Sequence, residues 1–318
     1  MNPFTPIRAR SVAAIGERRL IEGIRRWLGR ASPAAPFGIG DDCAVIPPTR
    51  RHQLVTTDPV IYGQHFDEAV SAHSAGAKLL KRNLSDIAAM GGSPVAAVVS
   101  LALAPQTSVR WLEQFYRGLA ATALKHRVAI VGGDVTQGPA RFFGAFLTLH
   151  GESSGGRVVT RTGARVGDAI YVTGALGGSL LGHHHAFTPR LGEGAWLAGR
   201  KEVRAMMDVS DGLAKDLDSI TPAALVPALE AAAIPISSAA KRRALKTKRA
   251  PLFHALSDGE DYELLIVVRD AAAARLERDW RKRFPKVPLT RIGRFVRKNQ
   301  LPGGALRLAD YRGYEHLR

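Results

Sequence analysis

The residues in this 318-residue chain most able to do chemistry are aspartates. Lysine and arginine outnumber aspartate and glutamate by 45 to 28, yet aspartate recurs where short apolar runs meet small residues. Asp41 and Asp42 stand in GIGDDCAVI, Asp58 in LVTTD, Asp134 in VGGD, and Asp208 with Asp211 in MMDVSDG. Asp86, in NLSDIAAMGG, falls near the predicted end of a helix. The apolar runs read as strands whose ends converge on one sheet edge, so these side chains are expected to meet. Carboxylates gathered at one site repel each other unless cations intervene. Hard oxygen ligands suit Mg²⁺ better than zinc, and Mg²⁺ shares its coordination with substrate phosphates. The set points to nucleotide chemistry. Taken singly, each aspartate is equally a turn former or helix cap, and Asp211 before Gly212 could cap the next helix.

Other motifs are missing or weak. There is no GxxxxGK(S/T) phosphate loop and no HRD or DFG element, so ATP would be handled outside the common nucleotide folds. GALGGSLLG at 174–182 is glycine-rich but does not fit GxGxxG. His183, His184 and His185 are adjacent, and adjacent side chains do not face one ion together. Cys43 is the sole cysteine, which excludes an internal disulfide and reads as a small packing residue.

The elements that must position these groups alternate in period. Leu20, Ile21, Ile24, Trp27 and Leu28 predict an amphipathic helix over 17–28. HQLVTTD, PVAAVVSLAL, VAIVGGD and FFGAFLTLHG read as strands, and helical patterns occupy about 69–90 and 109–126. After a basic connection at Gly155 to Gly167 the texture repeats. AIYVTG, MMDVS, YELLIVV and Leu289–Phe295 read as strands, with helices near Gly212, near Pro222 and over 271–283. Several strands follow one another without room for a crossover helix, so the fold class is mixed α/β (α+β) rather than doubly wound. Two domains are expected, at 1–155 and 156–318.

The formal charge is +17, but the basic residues are scattered apart from the run KRRALKTKR at 241–249. With no finger, RRM or KH signature, nucleic acid is not the expected partner. The N-terminus MNPFTPIRARS has no apolar core of a signal peptide, and the most apolar run, Val95 to Ala104, is too short for a bilayer. No membrane association and a cytoplasmic location are expected.

GIGDDCAVI, TTDPVIYGQHF, KLLKRNLSDIAAMGGSP, VGGDVTQGP, VVTRTGARVGD, FTPRLGEG, DVSDGLAKDL, LSDGEDYEL and GYEHL follow one another in this chain. In that order they resemble the thiamine-monophosphate kinases, of the superfamily that includes aminoimidazole-ribonucleotide (AIR) synthetase. The resemblance runs from about residue 15 to the C-terminus. NLSDIAAMG, GGD and SDGL are shared across the superfamily, whereas TTD…GQHF, GEDYE and GYEHL are more specific to the kinases.

The resemblance implies a two-domain AIR-synthetase-like fold whose first domain contributes a sheet to a homodimer barrel. It implies ATP as co-substrate and direct γ-phosphoryl transfer to thiamine monophosphate. By resemblance, Asp42, Thr56, Thr57, Asp58, Asp86, Asp134, Asp208 and Asp211 match Mg²⁺ positions. Gly133 and Asp134 lie against the nucleotide, with Arg161 and Ser210 as its phosphate contacts. Asp86, Asp134, Arg161 and Asp211 would carry the transfer. His65, Glu260 and Tyr314 match the thiamine-monophosphate side, although Asp261 is an alternative to Glu260. These three favour a kinase over the superfamily's ATP-dependent synthetases. Around Cys43 the pattern of the selenium-handling relatives is absent. Tyr62, Gln137, Gly178 and Asp258 depart from the kinase pattern, and none is a proposed metal ligand.

Overall fold

The computed structural model describes residues 2–34, 37–40, 43–155, 157–302, 305–311 and 313–314. The chain divides into two compact units, one of residues 1–87 and 93–152 and the other of residues 88–92 and 153–318. Each is a mixed α/β layer with its own sheet.

In the first unit α1 (Val12–Leu28) precedes β1 (Gln53–Ile61), α2 (Ala72–Ala89), β2 (Gly92–Leu103), α3 (Val109–His126), β3 (Ala129–Gln137) and β4 (Phe143–Ser153). The sheet order is β1-β4-β2-β3. β1 runs antiparallel to β4, and β2 runs parallel to β3 with α3 as the crossover. The two long helices touch backbone to backbone. A Cβ on Gly76 of α2 would lie 1.9 Å from the Phe115 carbonyl oxygen, and one on Gly118 of α3 would lie 1.9 Å from that of His73. Glycine at both positions is what permits the approach. Phe66, Trp111, Phe115 and Phe143 pack edge to face and stacked beneath it.

The second unit holds β5 (Ala169–Thr173), a short α4 (His183–Ala186), α5 (Leu191–Ala198), β6 (Val203–Asp208), α6 (Leu213–Ile220) and β7 (Leu225–Leu229). Then come α7 (Ser238–Thr247), α8 (Pro251–Ser257), β8 (Leu264–Val268), α9 (Ala273–Arg283) and β9 (Leu289–Arg297). Strand order is β6-β8-β5-β9-β7, every pair antiparallel. β5 and β8 are buried at every residue, which explains their continuous apolar sequence. Ile170, Leu265 and Val267 pack with Leu213, Leu217 and Leu256 on one face. Tyr171, Leu264 and Ile266 pack with Leu197, Leu276 and Trp280 on the other.

The helix expected near Pro222 is instead a turn followed by β7. Leu225–Leu229 pairs with β9 at the sheet edge, where Pro227 costs no interior hydrogen bond. Asp58 and Asp134 also differ from expectation, lying within nine-residue strands rather than at strand ends. Both strands are edges, so polar residues continue them without being buried. Among the described residues each sheet is open and no helix is long and apolar enough to cross a membrane.

Candidate active site

In the first unit β1 and α2 bring several of the predicted residues together. The Thr56 hydroxyl donates to Asp86 Oδ2 at 2.5 Å. Two residues along the same strand face, Asp58 Oδ1 accepts from Arg82 at 3.0 Å. Arg82 lies one helical turn before Asp86, which sets both groups on the α2 face that meets β1. Thr57 points to the other face, where its hydroxyl donates to the Leu147 carbonyl at 3.1 Å. At the end of β1, His65 Nδ1 accepts the Ile61 N–H at 3.0 Å. The neutral ring is thereby the Nε2–H tautomer, a donor suited to a phosphate oxygen. The fully buried Lys78 donates to the His65 carbonyl at 2.7 Å and fixes this loop.

Gly133 and Asp134 lie on β3, at the opposite edge of the sheet, and both are exposed. Three strand spacings of about 4.8 Å separate that edge from β1. A Cβ on Gly133 would come 2.1 Å from the Val99 carbonyl oxygen, so only glycine fits the strand here. Beside the pair opens a cavity of about 400 Å³ lined by Ile21, Ile24, Leu28, Val99, Tyr116 and Ile130. Its walls are apolar and aromatic, and Glu17, Gly132, Gly133 and Asp134 also line it.

In the second unit the DVSDG segment and the GEDY turn lock together. Glu260 N–H donates to the Ser210 carbonyl at 2.7 Å, and Tyr262 N–H to that of Val209 at 2.8 Å. Tyr314 N–H donates to the Asp211 carbonyl at 2.9 Å. Asp208, Ser210, Asp211, Glu260 and Tyr314 thus share one end of the unit. Asp211 pairs with Lys215 at 2.7 Å and does not cap α6, whose N-cap is Gly212 without a side-chain bond. The buried Asp216 accepts the N–H groups of Ser210 and Asp211 at 3.0 and 3.1 Å. Burial, then the charges of Asp208 and Asp211, push the Asp216 carboxyl up to about 8. Lys215 offsets part of this negative charge, and the oxygen donors of Asp208 and Asp211 are of the hard type that suits a divalent cation. Asp261 is fully buried and turned inward, with Oδ1 accepting the Gly177 N–H at 2.8 Å, whereas Glu260 is half-exposed.

Not every expected residue joins these groups. Asp41 and Asp42 lie outside the described residues. Arg161 is exposed in the segment between β4 and β5. Among the described residues no three acidic, imidazole or thiol groups converge closely enough to hold a metal by themselves. The histidine triplet serves the fold: His183 Nε2 meets the Asp261 carbonyl and His184 Nδ1 that of Ser179, each at 3.0 Å. Cys43 is exposed, not packed, because its segment carries no strand or helix to bury it. Arg82, Lys78 and Asp216 were not legible as site residues. The signals for Arg82 and Asp216 are helical spacing from Asp86 and the five-residue offset from Asp211.

Residues 40–152 match the family described as AIR synthase related protein, N-terminal domain. Fold and residue groups together therefore define an AIR-synthetase-like protein. The chain is 41% identical over 285 residues to the thiamine-monophosphate kinase of Rhodopirellula baltica, covering 86% of this chain and 87% of that one. It superposes with a TM-score of 0.72 and 33% identity on the crystal structure of thiamine-monophosphate kinase from Stenotrophomonas maltophilia, covering 87% and 93%. With AaThiL complexed with AMPPCP and TMP the TM-score is 0.71 at 28% identity, covering 95% and 97%. The chain belongs to the thiamine-monophosphate kinase family.

Proposed function

We propose that the protein transfers the γ-phosphoryl group of ATP to thiamine monophosphate, giving thiamine diphosphate and ADP. The observation that carries this is family membership at 41% identity across most of the chain. The AaThiL complex with AMPPCP, an ATP analogue, and TMP supports the same pair of substrates. The 400 Å³ cavity would take the base, with Ile21, Ile24 and Tyr116 against its faces. Gly133 lets the phosphates pass close to β3, and Arg161 and Ser210 contact them. His65 Nε2–H donates to the phosphate of the acceptor. Glu260 accepts from its aminopyrimidine, and Tyr314 offers a ring face to the cationic thiazolium.

Asp42, Thr56, Thr57, Asp58, Asp86, Asp134, Asp208 and Asp211 would hold Mg²⁺. Held there, Mg²⁺ would supply neutralisation of the charge on the transferred oxygens. The protein's own part would be positioning, the role proposed for Asp86 and Asp134 of the first unit and for Arg161 and Asp211 of the second. The acceptor oxygen already carries charge, so no strong general base is needed.

A homodimer follows from the same reading. β1 and β3 leave two nine-residue edges unpaired within their sheet, and Val55 and Phe146 stand 68% and 39% exposed on it. Closure by a second copy would cover both and bring β1 of one sheet to β3 of the other. A cytoplasmic location belongs to the same proposal. The test is ADP release: ADP formed in proportion to added thiamine monophosphate supports the proposal, and ATP turnover indifferent to it overturns it.

A further inference from the structure

One buried carboxylate in the second unit joins segments that the transfer chemistry does not use. Asp258 follows α8, and its side chain is 5% exposed. Its Oδ1 accepts from His254 Nδ1 at 2.9 Å, and Oδ2 accepts the Gly178 N–H at 2.8 Å, with the Arg243 guanidinium 3.4 Å away. His254 is 2% exposed, and its Nε2 meets the Thr247 hydroxyl at 2.7 Å. A continuous chain of polar contacts runs from the end of α7, through α8, to the glycine-rich loop. Gly178 has φ +72°, and a Cβ there would come 2.3 Å from the Ala239 carbonyl carbon. The loop therefore lies against the start of α7 and offers Asp258 only its amide.

The residues just after Asp258 take unusual backbone conformations. Gly259, Glu260 and Tyr262 have φ of 70°, 53° and 51°. Two non-glycine residues in the left-handed region persist only where the surroundings over-determine them. The restraints are the two N–H bonds to Ser210 and Val209, the Ser179 hydroxyl donating to the Gly259 carbonyl at 2.5 Å, and Gly177 on Asp261. Asp258 fixes the point at which the chain enters this turn.

We propose that Asp258 is a positioning residue for the acceptor half of the site: by holding Gly178 and His254 together it sets the left-handed turn that presents Glu260. The inference rests on the reading of Glu260 as an acceptor contact. It acts chiefly on acceptor binding: none of its contacts reaches the cavity or Gly133 in the first unit, and Ser210 meets the turn only through its carbonyl.

The test compares wild type, Asp258→Ala, Asp258→Asn and Thr247→Ala by separate KM values for ATP and thiamine monophosphate. Hydrogen exchange of peptides spanning 174–182 and 257–263 is measured in parallel. Asp258→Ala is expected to raise the acceptor KM roughly tenfold or more, with the ATP KM within about twofold. Asp258→Asn keeps one acceptor oxygen and should fall between the two. Thr247→Ala removes only the outermost contact, so it folds if Asp258→Ala does not and should shift the acceptor KM weakly in the same direction. Both peptides should exchange faster in the Asp258 variants, while β5 and β8 stay protected. Faster exchange with an unchanged acceptor KM would overturn the positioning role, as would unchanged exchange. If wild type does not use thiamine monophosphate, the functional proposal fails, and the exchange comparison still decides whether Asp258 sets the turn.

Discussion

Asp58 and Arg82 form a 3.0 Å ion pair in which the guanidinium is 10% and the carboxylate 24% exposed. Arg82 also donates to the Pro59 carbonyl at 2.6 Å, so it ties α2 to β1 at two points. Asp134 is exposed on the opposite edge strand. The two carboxylates are both proposed Mg²⁺ ligands, yet the fold depends on them differently. Asp58→Asn leaves a largely buried cation with a weakened partner and should lower stability by about 1–3 kcal/mol. Asp134→Asn should change it by no more than about 0.5 kcal/mol. Both should abolish transfer. Denaturant unfolding alongside activity separates the cases, and equal stability losses would contradict the assignment.

The two edges also predict complementation. If β1 of one copy meets β3 of the other, a mixed dimer of Asp58→Asn and Asp134→Asn contains one intact site. Co-refolding the two inactive variants should recover roughly a quarter of wild-type activity, since half the dimers are mixed. No recovery from a sample shown to be mixed would place both groups in one copy's site.

Filling the cavity tests the base pocket. Ile21 lines it and is only half-buried, so Ile21→Trp can occupy the space without disturbing the sheet. The ATP KM should rise about tenfold or more, with the thiamine-monophosphate KM unchanged and thermal stability retained. An unchanged ATP KM would move the base elsewhere.

The sequence made much of this arrangement legible because helical periodicity and apolar runs report burial directly. α2, α3 and α9 fall close to where their spacing predicts, and β5 and β8 read as strands because both their faces are covered. β7 was not legible, because five residues with a central proline become a strand only through pairing with β9. The partner of Asp58 was hidden for the same reason: Arg82 is near Asp86 in sequence but meets Asp58 only when α2 packs on β1. Gly178 and Asp258, two separate departures from the family pattern in sequence, are hydrogen-bonded to each other in the fold. Strand order is a further case, since nothing in the spacing of Asp58 and Asp134 tells that they occupy opposite edges.

Asp261 predicts a pH dependence. Burial above all raises its carboxyl well above 3.8, and Oδ2 has no hydrogen-bond partner among the described residues. An acid whose folded pKa is raised contributes stability that is full below the unfolded value and lost as pH rises through the folded one. Asp261→Asn keeps the acceptor for the Gly177 N–H but cannot ionise. Its melting temperature relative to wild type should therefore climb as pH rises above the ordinary carboxylate range. A difference independent of pH would mean that Asp261 stays in one protonation state, contrary to the prediction.

The central claim is tested most directly by identifying the product by mass after incubation with ATP, Mg²⁺ and either thiamine monophosphate or unphosphorylated thiamine. The account predicts thiamine diphosphate and ADP in equal amounts, from the monophosphate only and only with the metal present. ATP bound or consumed without thiamine diphosphate appearing would contradict it.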